Sequence, residues 1–211
     1  MAEPDLGAEK ALFQARTGAT FEQMADLEVF RGMLAEGNAV MNLVGPDSLP
    51  DFWNRHAWDS AQLMGHAPEA RTWADLGAGA GLPSVVLAIL LKGRERGHVW
   101  MIDSLGKRCR FLQAVVDRLA LPATVINGRA EAQAITCDIV TARAVAAMDK
   151  LLGYAQPYFE RGAQGLFLKG EKAESELIEA RRNWQFEAKL AVSQSDPRGR
   201  IVTIRSVRRA R

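Results

Sequence analysis

A glycine-rich segment at residues 73–83, WADLGAGAGLP, has the residue types and spacing to bind a nucleoside. It lies between a short apolar run and a helix-length apolar run. Glycines there let the backbone turn sharply and let a ligand approach without meeting a Cβ. The start of a following helix also offers backbone N–H groups to a ligand. The glycines alone are weak evidence, because a purely structural turn uses the same residues.

Asp103 strengthens this interpretation by its position. It ends the next apolar run, about 20 residues beyond the glycines, where an acidic side chain can accept hydrogen bonds from both ribose hydroxyls of a nucleoside lying across the strand ends. A lone aspartate there would also be explained by a helix cap or a closed turn. The joint spacing favours a nucleoside cofactor.

The spacing also separates the candidate cofactors. A dinucleotide site needs G-x-G-x-x-G, whose third glycine would stand where this chain has Leu82, and the G-K-[ST] of a P-loop is absent. The segment from Asp75 instead reads D-x-G-x-G-x-G. A carboxylate at Asp75 repels a pyrophosphate and attracts an ammonium or sulfonium, so the pattern favours S-adenosylmethionine. The loop residues predicted to contact it are Gly77, Ala78, Gly79, Gly81 and Leu82.

The elements that position these residues follow from the alternation of apolar runs. From residue 72 onward, short apolar runs alternate with amphipathic segments of helical length, which is typical of an α/β domain. Residues 184–192 and 201–207 alternate apolar and polar side chains around the turn-rich SDPRGR, and predict an antiparallel hairpin that ends the sheet. We predict helices that begin near Leu82, Leu105, Met148 and Lys172. We predict strands at residues 72–76, 98–102, 123–127, 138–141 and 165–168.

The first 68 residues differ in texture, and we predict that they form a helical extension ahead of a methyltransferase domain at residues 69–211. Thr20 can cap a helix whose apolar side chains recur near the 3.6-residue period, and Gly37 and Asn38 are expected to end it. A second helical pattern covers residues 51–64. The tryptophans expected to be core residues are Trp53, Trp58 and Trp73.

The composition excludes several functional classes. The chain has 211 residues, of which 48% are hydrophobic and 25% charged, as in an ordinary globular protein. Cys109 and Cys137 form no C-x-x-C pair, so neither a disulfide framework nor a metal site is predicted. The N-terminus lacks a secretory pattern, and the longest apolar run, residues 82–91, is too short to cross a bilayer. We expect a cytoplasmic protein without a membrane partner.

The net charge of +2 names no partner, but arginines are concentrated near the C-terminus. Such a cluster can contact phosphates. From the charge alone, a solvated and frayed tail is the favoured interpretation. The arginines concerned are Arg198, Arg200, Arg205, Arg208, Arg209 and Arg211.

Beyond the glycine loop, several short motifs occur in the order typical of the RsmG (GidB) family, which the chain resembles over roughly residues 40–205. The block DSLGKR from Asp103 to Arg108, joined to the AGLP of the loop, is highly specific. The loop departs from the family pattern at Ala80 and at Ser84–Val85, which alters its stiffness and not its chemistry. The other matching motifs are Asn42-Leu43, Arg55-His56, Asp59-Ser60, Phe111-Leu112, Gly128-Arg129-Ala130-Glu131, Ala142-Arg143-Ala144 and Leu168-Lys169-Gly170.

The resemblance implies a Rossmann-like class I S-adenosylmethionine-dependent methyltransferase sheet with an N-terminal helical cap. It implies methylation of N7 of a guanine in 16S ribosomal RNA, free or within the small ribosomal subunit, with S-adenosylhomocysteine as the other product. It also implies that Ala130 and Glu131 lie at the adenine edge, that Ser104 belongs to the cofactor site, and that His56 has a site role. We expect a monomer.

The residues agree with transfer to a ring nitrogen. Guanine N7 has an exposed lone pair, so transfer needs in-line positioning and no strong general base. Enzymes acting on exocyclic amines usually carry [D/N]-P-P-[F/Y] after the fourth strand, where this chain has Thr141 to Ala144. Cys109 and Cys137 lack the Pro-Cys context of an attacking cysteine, so packing roles are favoured. Arg143, on a loop of small residues, is expected to hold the cofactor or the guanine.

Basic residues near the predicted cleft are candidates for contacts to RNA phosphates. Taken singly, most are equally compatible with a solvated surface charge. The candidates are Arg55, Lys107, Arg108, Arg129 and Lys169.

Two other functions remain open from the sequence. One is an RNA-binding ribosome-assembly module with a vestigial cofactor site, since fold alone does not fix function. The intact Asp75, glycine loop and Asp103 favour an enzyme over that module. The other is a methyltransferase of small molecules, which is distinguished by whether tritiated methyl groups enter ribosomal RNA.

Overall fold

A computed structural model describes residues 6–45 and 48–210, in which seven strands form one sheet. The strands are β1 (Thr72–Leu76), β2 (His98–Asp103), β3 (Ala123–Asn127), β4 (Ile139–Arg143), β5 (Gln164–Lys169), β6 (Trp184–Val192) and β7 (Arg200–Arg209). Their order is β3-β2-β1-β4-β5-β7-β6, with β1 to β5 parallel and β7 antiparallel to both neighbours. The fold class predicted from the sequence is confirmed.

Helices cover both faces of this sheet. Successive residues of β1 alternate between two hydrophobic clusters, with Trp73 in one and Ala74 in the other. The α-helices are α1 (Leu6–Thr17), α2 (Phe21–Met41), α3 (Asp59–Ala61), α4 (Leu63–His66), α5 (Ser84–Leu91), α6 (Gly106–Leu119), α7 (Met148–Phe159) and α8 (Ala173–Ala180). Within residues 6–45 and 48–210, no helix is long and apolar enough to cross a membrane.

The capping of α2 is as predicted, but its C-terminus is not. The Thr20 side chain accepts a hydrogen bond from the Gln23 N–H, and the Gln23 side chain accepts one from the Thr20 N–H. The helix continues through Gly37 and Asn38 to Met41. The prediction that these two residues end the helix is therefore wrong.

Packing explains why Gly37 and Asn38 stay inside the helix. A Cβ at residue 37 would lie 2.9 Å from the Phe111 ring, so glycine lets α2 approach α6 closely. The Asn38 side chain accepts a hydrogen bond from the Val44 N–H, and Asn42 ends the helix in the left-handed conformation. Asn38 therefore stabilises the exit of the chain from the helix. Residues 46 and 47 of the next loop lie outside the described residues.

The helical pattern at residues 51–64 is confirmed, with one unusual turn. Residues Phe52–Trp58 form a π-helix, which leads directly into α3 and α4. Such wide turns are rare in proteins, and those that occur are often found at functional sites. Trp53 and Trp58 are buried in this segment, and Trp73 is buried in β1, as predicted.

The N-terminal helices share a hydrophobic core with one face of the sheet. Leu27 and Phe30 of α2 and Trp53 of the π-helix belong to the same buried cluster as Val86 of α5 and Leu112 of α6. Burying these side chains together anchors α2 and the π-helix against the sheet. A domain division at residue 68 stays a prediction.

The arginine-rich C-terminus is a strand, so the expectation of a frayed tail is wrong for residues 200–209. β7 lies between β5 and β6 in the sheet. The Arg209 guanidinium stacks on the Trp184 ring at 3.9 Å, and Arg205 donates two hydrogen bonds to the Gln164 side-chain carbonyl. Partners on neighbouring strands therefore order these arginines. Arg211 lies outside the described residues.

Candidate active site

The carboxyl ends of the parallel strands open into two neighbouring cavities. The smaller cavity, about 360 Å³, is lined by the turns after β1 and β2 and by residues 128–131 after β3. The cleft, about 1200 Å³, lies beyond β4 and β5 and is lined also by residues of the N-terminal segment 43–59 and of the hairpin loop 193–200. Ala144 lines both, so the two are contiguous. Open α/β sheets bind ligands at this edge.

The loop after β1 uses backbone conformations that favour glycine. Gly77, Gly79 and Gly81 have φ angles of 69°, 54° and 83°. A Cβ on Gly77 would lie 2.8 Å from the Val145 side chain, so the segment after β4 packs directly on the glycine loop. The Ala78 N–H donates to a carbonyl of β2 at 2.9 Å. The loop is therefore held between two strand ends.

Asp103 joins the glycine loop to the start of α6. One carboxylate oxygen accepts a hydrogen bond from the Gly79 N–H at 3.0 Å, and the other accepts one from the Leu105 N–H at 2.8 Å. The Arg108 guanidinium lies 3.7 Å from the same carboxylate. The side chain lines the smaller cavity while fixing its walls. Contact between Asp103 and a ribose stays a prediction.

Asp75 is a fully buried carboxylate with unusual surroundings. No group within residues 6–45 and 48–210 makes a hydrogen bond of normal geometry to either of its oxygens, although the Ser84 hydroxyl and N–H lie nearby. Burial raises the pKa of Asp75 to about 7, against smaller opposing effects of Ser84 and Arg143. A buried carboxylate without a donor is costly. Asp75 lines neither cavity, and of the loop residues predicted to contact the cofactor only Gly77 lines one.

The segment after β3 supplies another wall of the smaller cavity. Ala130 and Glu131 line it from a short 3₁₀ helix (Ala130–Ala132), together with Ser104 after β2. The Tyr158 hydroxyl of α7 donates to the Ala130 carbonyl at 3.0 Å and holds this segment. Arg129 lies 3.4 Å from the Glu131 carboxylate on the exposed rim, where such a pair adds little stability.

Arg143 ends β4 and enters the cleft. One guanidinium nitrogen donates to the Arg55 carbonyl and to the Asp59 carboxylate, both at 3.2 Å. The other lies 3.3 Å from His56 Nδ1. The next residue, Ala144, has a φ of 56°, which non-glycine residues seldom adopt and which is enriched at functional sites. The guanidinium is thus fixed beside the junction of the two cavities.

His56 is neutral in this arrangement. A guanidinium can only donate, so Nδ1 accepts from Arg143, and Nε2 carries the proton that is donated to the Ser48 hydroxyl at 3.0 Å. Burial first, and then the positive charges of Arg143 and Arg55, lower the pKa of His56 to about 3. His56 therefore does not change its charge between pH 6 and 9.

Asp59 was missed as a site residue in the sequence, where it stood only in a matching motif. Its carboxylate contacts Arg143 through one oxygen, and through the other accepts hydrogen bonds from Ser195 at 2.5 Å and from Gln62 at 3.0 Å. Ser193 lies beside Ser195 in the same hairpin loop, with their hydroxyls 2.8 Å apart. No local sequence signal links residues so far apart in the chain.

Lys169 faces the cleft but is already engaged. Its ammonium lies 2.6 Å from the Glu176 carboxylate and donates to the Ala146 carbonyl at 2.8 Å. Glu176 also accepts a hydrogen bond from the Met148 N–H at 2.9 Å. Lys169 therefore fixes the segment between β4 and α7.

The other predicted RNA contacts differ in position. Arg55 is exposed at the cleft, and Arg129 is exposed at the smaller cavity. Lys107 is exposed in the first turn of α6 and lines neither cavity, whereas Arg108 is half-buried against Asp103. The cleft is lined by three further cations that the sequence did not indicate as site residues: Lys172, Arg198 and Arg200.

Both cysteines are buried, as expected of packing residues. The Cys109 thiol donates to the Asp103 carbonyl at 3.2 Å. Burial raises the pKa of the Cys137 thiol to about 12. Because the thiolate is the attacking form of cysteine, neither residue is suited to nucleophilic attack.

The family model and the similar proteins that the chain matches name the same family. The chain matches GidB, described as rRNA small subunit methyltransferase G, over residues 23–201. It is 57% identical over 208 residues to the ribosomal RNA small subunit methyltransferase G of Caulobacter vibrioides, covering 99% of this chain and 96% of that protein. It is 41% identical to the protein of the same name from Hyphomonas neptunium, covering 95% of this chain and 96% of that one.

Solved structures share the fold at low identity. The O-methyltransferase from Bacillus cereus in complex with SAH superimposes with a TM-score of 0.58 at 14% identity, covering 86% of this chain and 91% of that one. This likeness shows the methyltransferase fold, and the relatives show the family. The chain belongs to the GidB family, rRNA small subunit methyltransferase G.

Proposed function

We propose that this protein transfers a methyl group from S-adenosylmethionine to N7 of a guanine in 16S ribosomal RNA of the small subunit. The family and the names of its relatives support ribosomal RNA of the small subunit as the substrate. The smaller cavity has the volume of a nucleoside cofactor site. The contiguous cleft has the size to admit a nucleotide of an RNA chain, and six Lys and Arg side chains line it beside five carboxylates.

The observation that carries the proposal is the cavity at the ends of β1, β2 and β3, beside a buried Asp75 carboxylate that has no hydrogen bond of normal geometry within residues 6–45 and 48–210. When bound, S-adenosylmethionine supplies an electrophilic methyl group on a sulfonium, together with a cationic amino group. Asp75 attracts such a cation and repels the phosphates of a dinucleotide. Gly77, Gly79 and Gly81 adopt left-handed backbone conformations that favour a residue without a Cβ.

The walls of the smaller cavity fit a nucleoside. Asp103 has lone pairs to accept ribose hydroxyls while it holds Gly79 and Leu105. Ser104, Ala130 and Glu131 supply polar groups for the ribose and the adenine edge. These assignments, with Gly77, Ala78, Gly81 and Leu82 in the loop, are part of the proposal.

Arg143 positions the guanine in this proposal. Its guanidinium is fixed by three groups, and it stands next to Ala144, where the cofactor cavity meets the cleft. A fixed, planar donor can hold a guanine through a base oxygen or by stacking. His56 keeps the guanidinium oriented and stays neutral. Since N7 needs no deprotonation, the transfer rate at saturating cofactor and RNA is expected to be flat from about pH 6 to 9.

The rim carries the RNA backbone in this proposal. Arg55, Lys107 and Arg129 are exposed cations that can meet phosphates, with Arg108 close to the rim. Lys169 contributes chiefly by holding the segment after β4. The protein is further proposed to act as a cytoplasmic monomer, with residues 1–68 as a helical cap on the methyltransferase domain.

Two measurements test the proposal. Calorimetry is expected to show saturable binding of S-adenosylmethionine, and tritiated methyl groups are expected to enter 16S ribosomal RNA of unmodified small subunits. No binding at millimolar cofactor would indicate an RNA-binding module with a vestigial site. Cofactor binding without label in RNA, across naked RNA, precursor particles and mature subunits, would indicate a small-molecule methyltransferase.

A further inference from the structure

We infer that Asp59 is a positioning residue for Arg143, and that it is itself set in place by the serine-containing loop between β6 and β7. This inference rests on the proposed function, because it concerns how the guanine-holding arginine is oriented. It assigns a functional role to Ser193, Ser195 and Gln62, which belong to no sequence motif of the site.

A dense set of hydrogen bonds joins the hairpin loop to the N-terminal helical segment. Gln62 Nε2 donates to Ser193 Oγ at 2.9 Å, and its carbonyl oxygen accepts from the Gln194 N–H at 2.8 Å. The Asn54 side chain donates to the Ser195 carbonyl at 3.2 Å. Gln62 and Ser193 are buried. Because unsatisfied buried polar groups are costly, these bonds fix the loop to residues 54–62.

Asp59 connects that junction to the cleft. One carboxylate oxygen accepts from Ser195 at 2.5 Å and from Gln62, and the other accepts from Arg143 at 3.2 Å. The side chain is 17% exposed and that of Arg143 is 20% exposed. A largely buried carboxylate with two donors on one oxygen is restricted in where it places the other oxygen. The direction of the Arg143 guanidinium therefore depends on the hairpin loop.

The same loop faces the RNA side of the cleft. Arg198 and Arg200 line the cleft from the loop that also carries Ser193 and Ser195. Within the loop, Arg198 pairs with the Asp196 carboxylate at 3.1 Å, and Arg200 donates to two loop carbonyls. A phosphate held by these arginines would stabilise the loop in the position that Ser195 and Asp59 require. The loop thus couples binding of the RNA backbone to the orientation of Arg143.

Asp59→Asn and Ser195→Ala test this role, with Asp138→Asn as a matched control. The Asp138 carboxylate accepts three hydrogen bonds from Arg71 and Thr72 at the opposite end of β1, far from the cleft. We expect the single-turnover rate of RNA methylation at saturating cofactor to fall about 100-fold in Asp59→Asn and about tenfold in Ser195→Ala, since small displacements of a positioning group have effects of this order. Cofactor affinity is expected to stay within about twofold of wild type.

A double-mutant cycle separates positioning from a general loss of structure. In an Arg143→Lys background, Asp59→Asn is expected to add less than about threefold, because the group that it positions is gone. NMR spectra of arginine side-chain N–H groups test whether the Arg143 guanidinium is held in place, without measuring turnover. The Arg143 guanidinium signals, assigned by their loss in Arg143→Lys, should broaden in Asp59→Asn and Ser195→Ala and stay sharp in Asp138→Asn.

Three results would overturn the inference. They are an unchanged methylation rate in Asp59→Asn, an equal loss of rate in the Arg143→Lys background, or unchanged Arg143 signals in Asp59→Asn. Failure of the proposed function is recognised separately, because the wild-type protein would then place no methyl group in ribosomal RNA.

Discussion

The smaller cavity and the cleft occupy the same edge of the sheet but are built in different ways. The smaller cavity is lined mainly by short turns that follow β1, β2 and β3, and its central contact is the bond between Asp103 and the Gly79 N–H. The cleft is assembled from the N-terminal helices, the end of β4, the end of β5 and the hairpin loop. Its central contacts join residues that are distant in the sequence. Arg143 and Asp59 are separated by 84 positions, and Asp59 and Ser195 by 136.

Because of this difference, we expect the two cavities to respond differently to substitutions. Turns at the ends of paired strands are fixed by the sheet itself, so we expect the smaller cavity to depend less on the packing of the N-terminal segment. The cleft requires these four separate segments to stay packed together. We therefore expect substitutions in the cleft to change the rate and RNA binding, and substitutions in the smaller cavity to change cofactor affinity.

Arg143→Ala has the largest expected effect. Loss of a fixed donor in a preorganised site costs about 100- to 1000-fold in rate, and here the same residue orients the guanine, so turnover is expected to be abolished. Calorimetric affinity for S-adenosylmethionine should change much less. Arg118→Ala, an exposed arginine of α6, is the control and should behave as wild type. Turnover above about a tenth of wild type would remove Arg143 from the site.

Asp103→Ala is expected to act on the cofactor instead. The charge-assisted bond to a ribose hydroxyl contributes about 1.5 to 3 kcal/mol, which corresponds to about a 10- to 150-fold weaker dissociation constant. Loss of its bonds to Gly79 and Leu105 adds to this effect. At saturating cofactor the rate should recover. An unchanged affinity, with Asp117→Ala as control on α6, would contradict the assignment.

Asp75 predicts a pH dependence of cofactor binding. Its pKa is raised to about 7 in the folded protein, so the cation-binding carboxylate is protonated at lower pH. Affinity for S-adenosylmethionine should rise by up to about tenfold per pH unit below 7 and level off above it. In Asp75→Asn the affinity should be lower and independent of pH. A pH-independent affinity of the wild-type protein would contradict this role.

The same shift has a consequence for stability. A carboxyl whose pKa is raised by folding contributes its stability fully below the unfolded pKa of 3.8, and that contribution is lost as the pH rises through about 7. Ionising the group in the cofactor-free protein therefore destabilises it, by about 4 kcal/mol at most. Thermal unfolding should show Asp75→Asn more stable than wild type at pH 8, with the difference shrinking towards pH 4.

The smallest expected effects concern the rim. Lys107→Ala and Arg129→Ala should each reduce the salt dependence of RNA affinity by a slope of roughly 0.7 to 0.9, the contribution of one phosphate contact. Arg129 forms an exposed pair with Glu131 that does not compete strongly with RNA. Cofactor affinity should not change. The slope measured for Arg118→Ala gives the baseline, and equal slopes would place both cations on a solvated face.

The smaller cavity was largely predictable from the sequence, because its signals are local. The bounds of β1 and β6 agree with the alternation of apolar residues, and the glycines after β1 stand beside Asp103 as their spacing indicates. Gly37 was wrongly predicted to end α2, because its packing on Phe111 depends on a helix much later in the chain. Such long-range contacts are not visible in the periodic pattern of apolar residues in the sequence.

The cleft was predictable only in part. Arg143 and His56 were predicted as site residues, and both line the cleft. The hydrogen bonds that hold them come from segments whose approach depends on the whole fold. In the sequence, Ser195 has no feature that separates it from other loop serines, although it binds Asp59. Arg200 was predicted to lie in a frayed tail, whereas it begins β7. A residue whose role depends on a distant partner carries no signal of its own.

The methylated atom tests the central claim most directly. Unmodified small subunits are incubated with the protein and S-adenosylmethionine, and the 16S ribosomal RNA is then treated with reagents that cleave the chain at 7-methylguanosine. We predict one new cleavage site, at a guanine that also carries the tritiated methyl group, and none with Arg143→Ala. A methyl label that enters the RNA without a corresponding cleavage would show transfer to another atom and would contradict direct attack by N7.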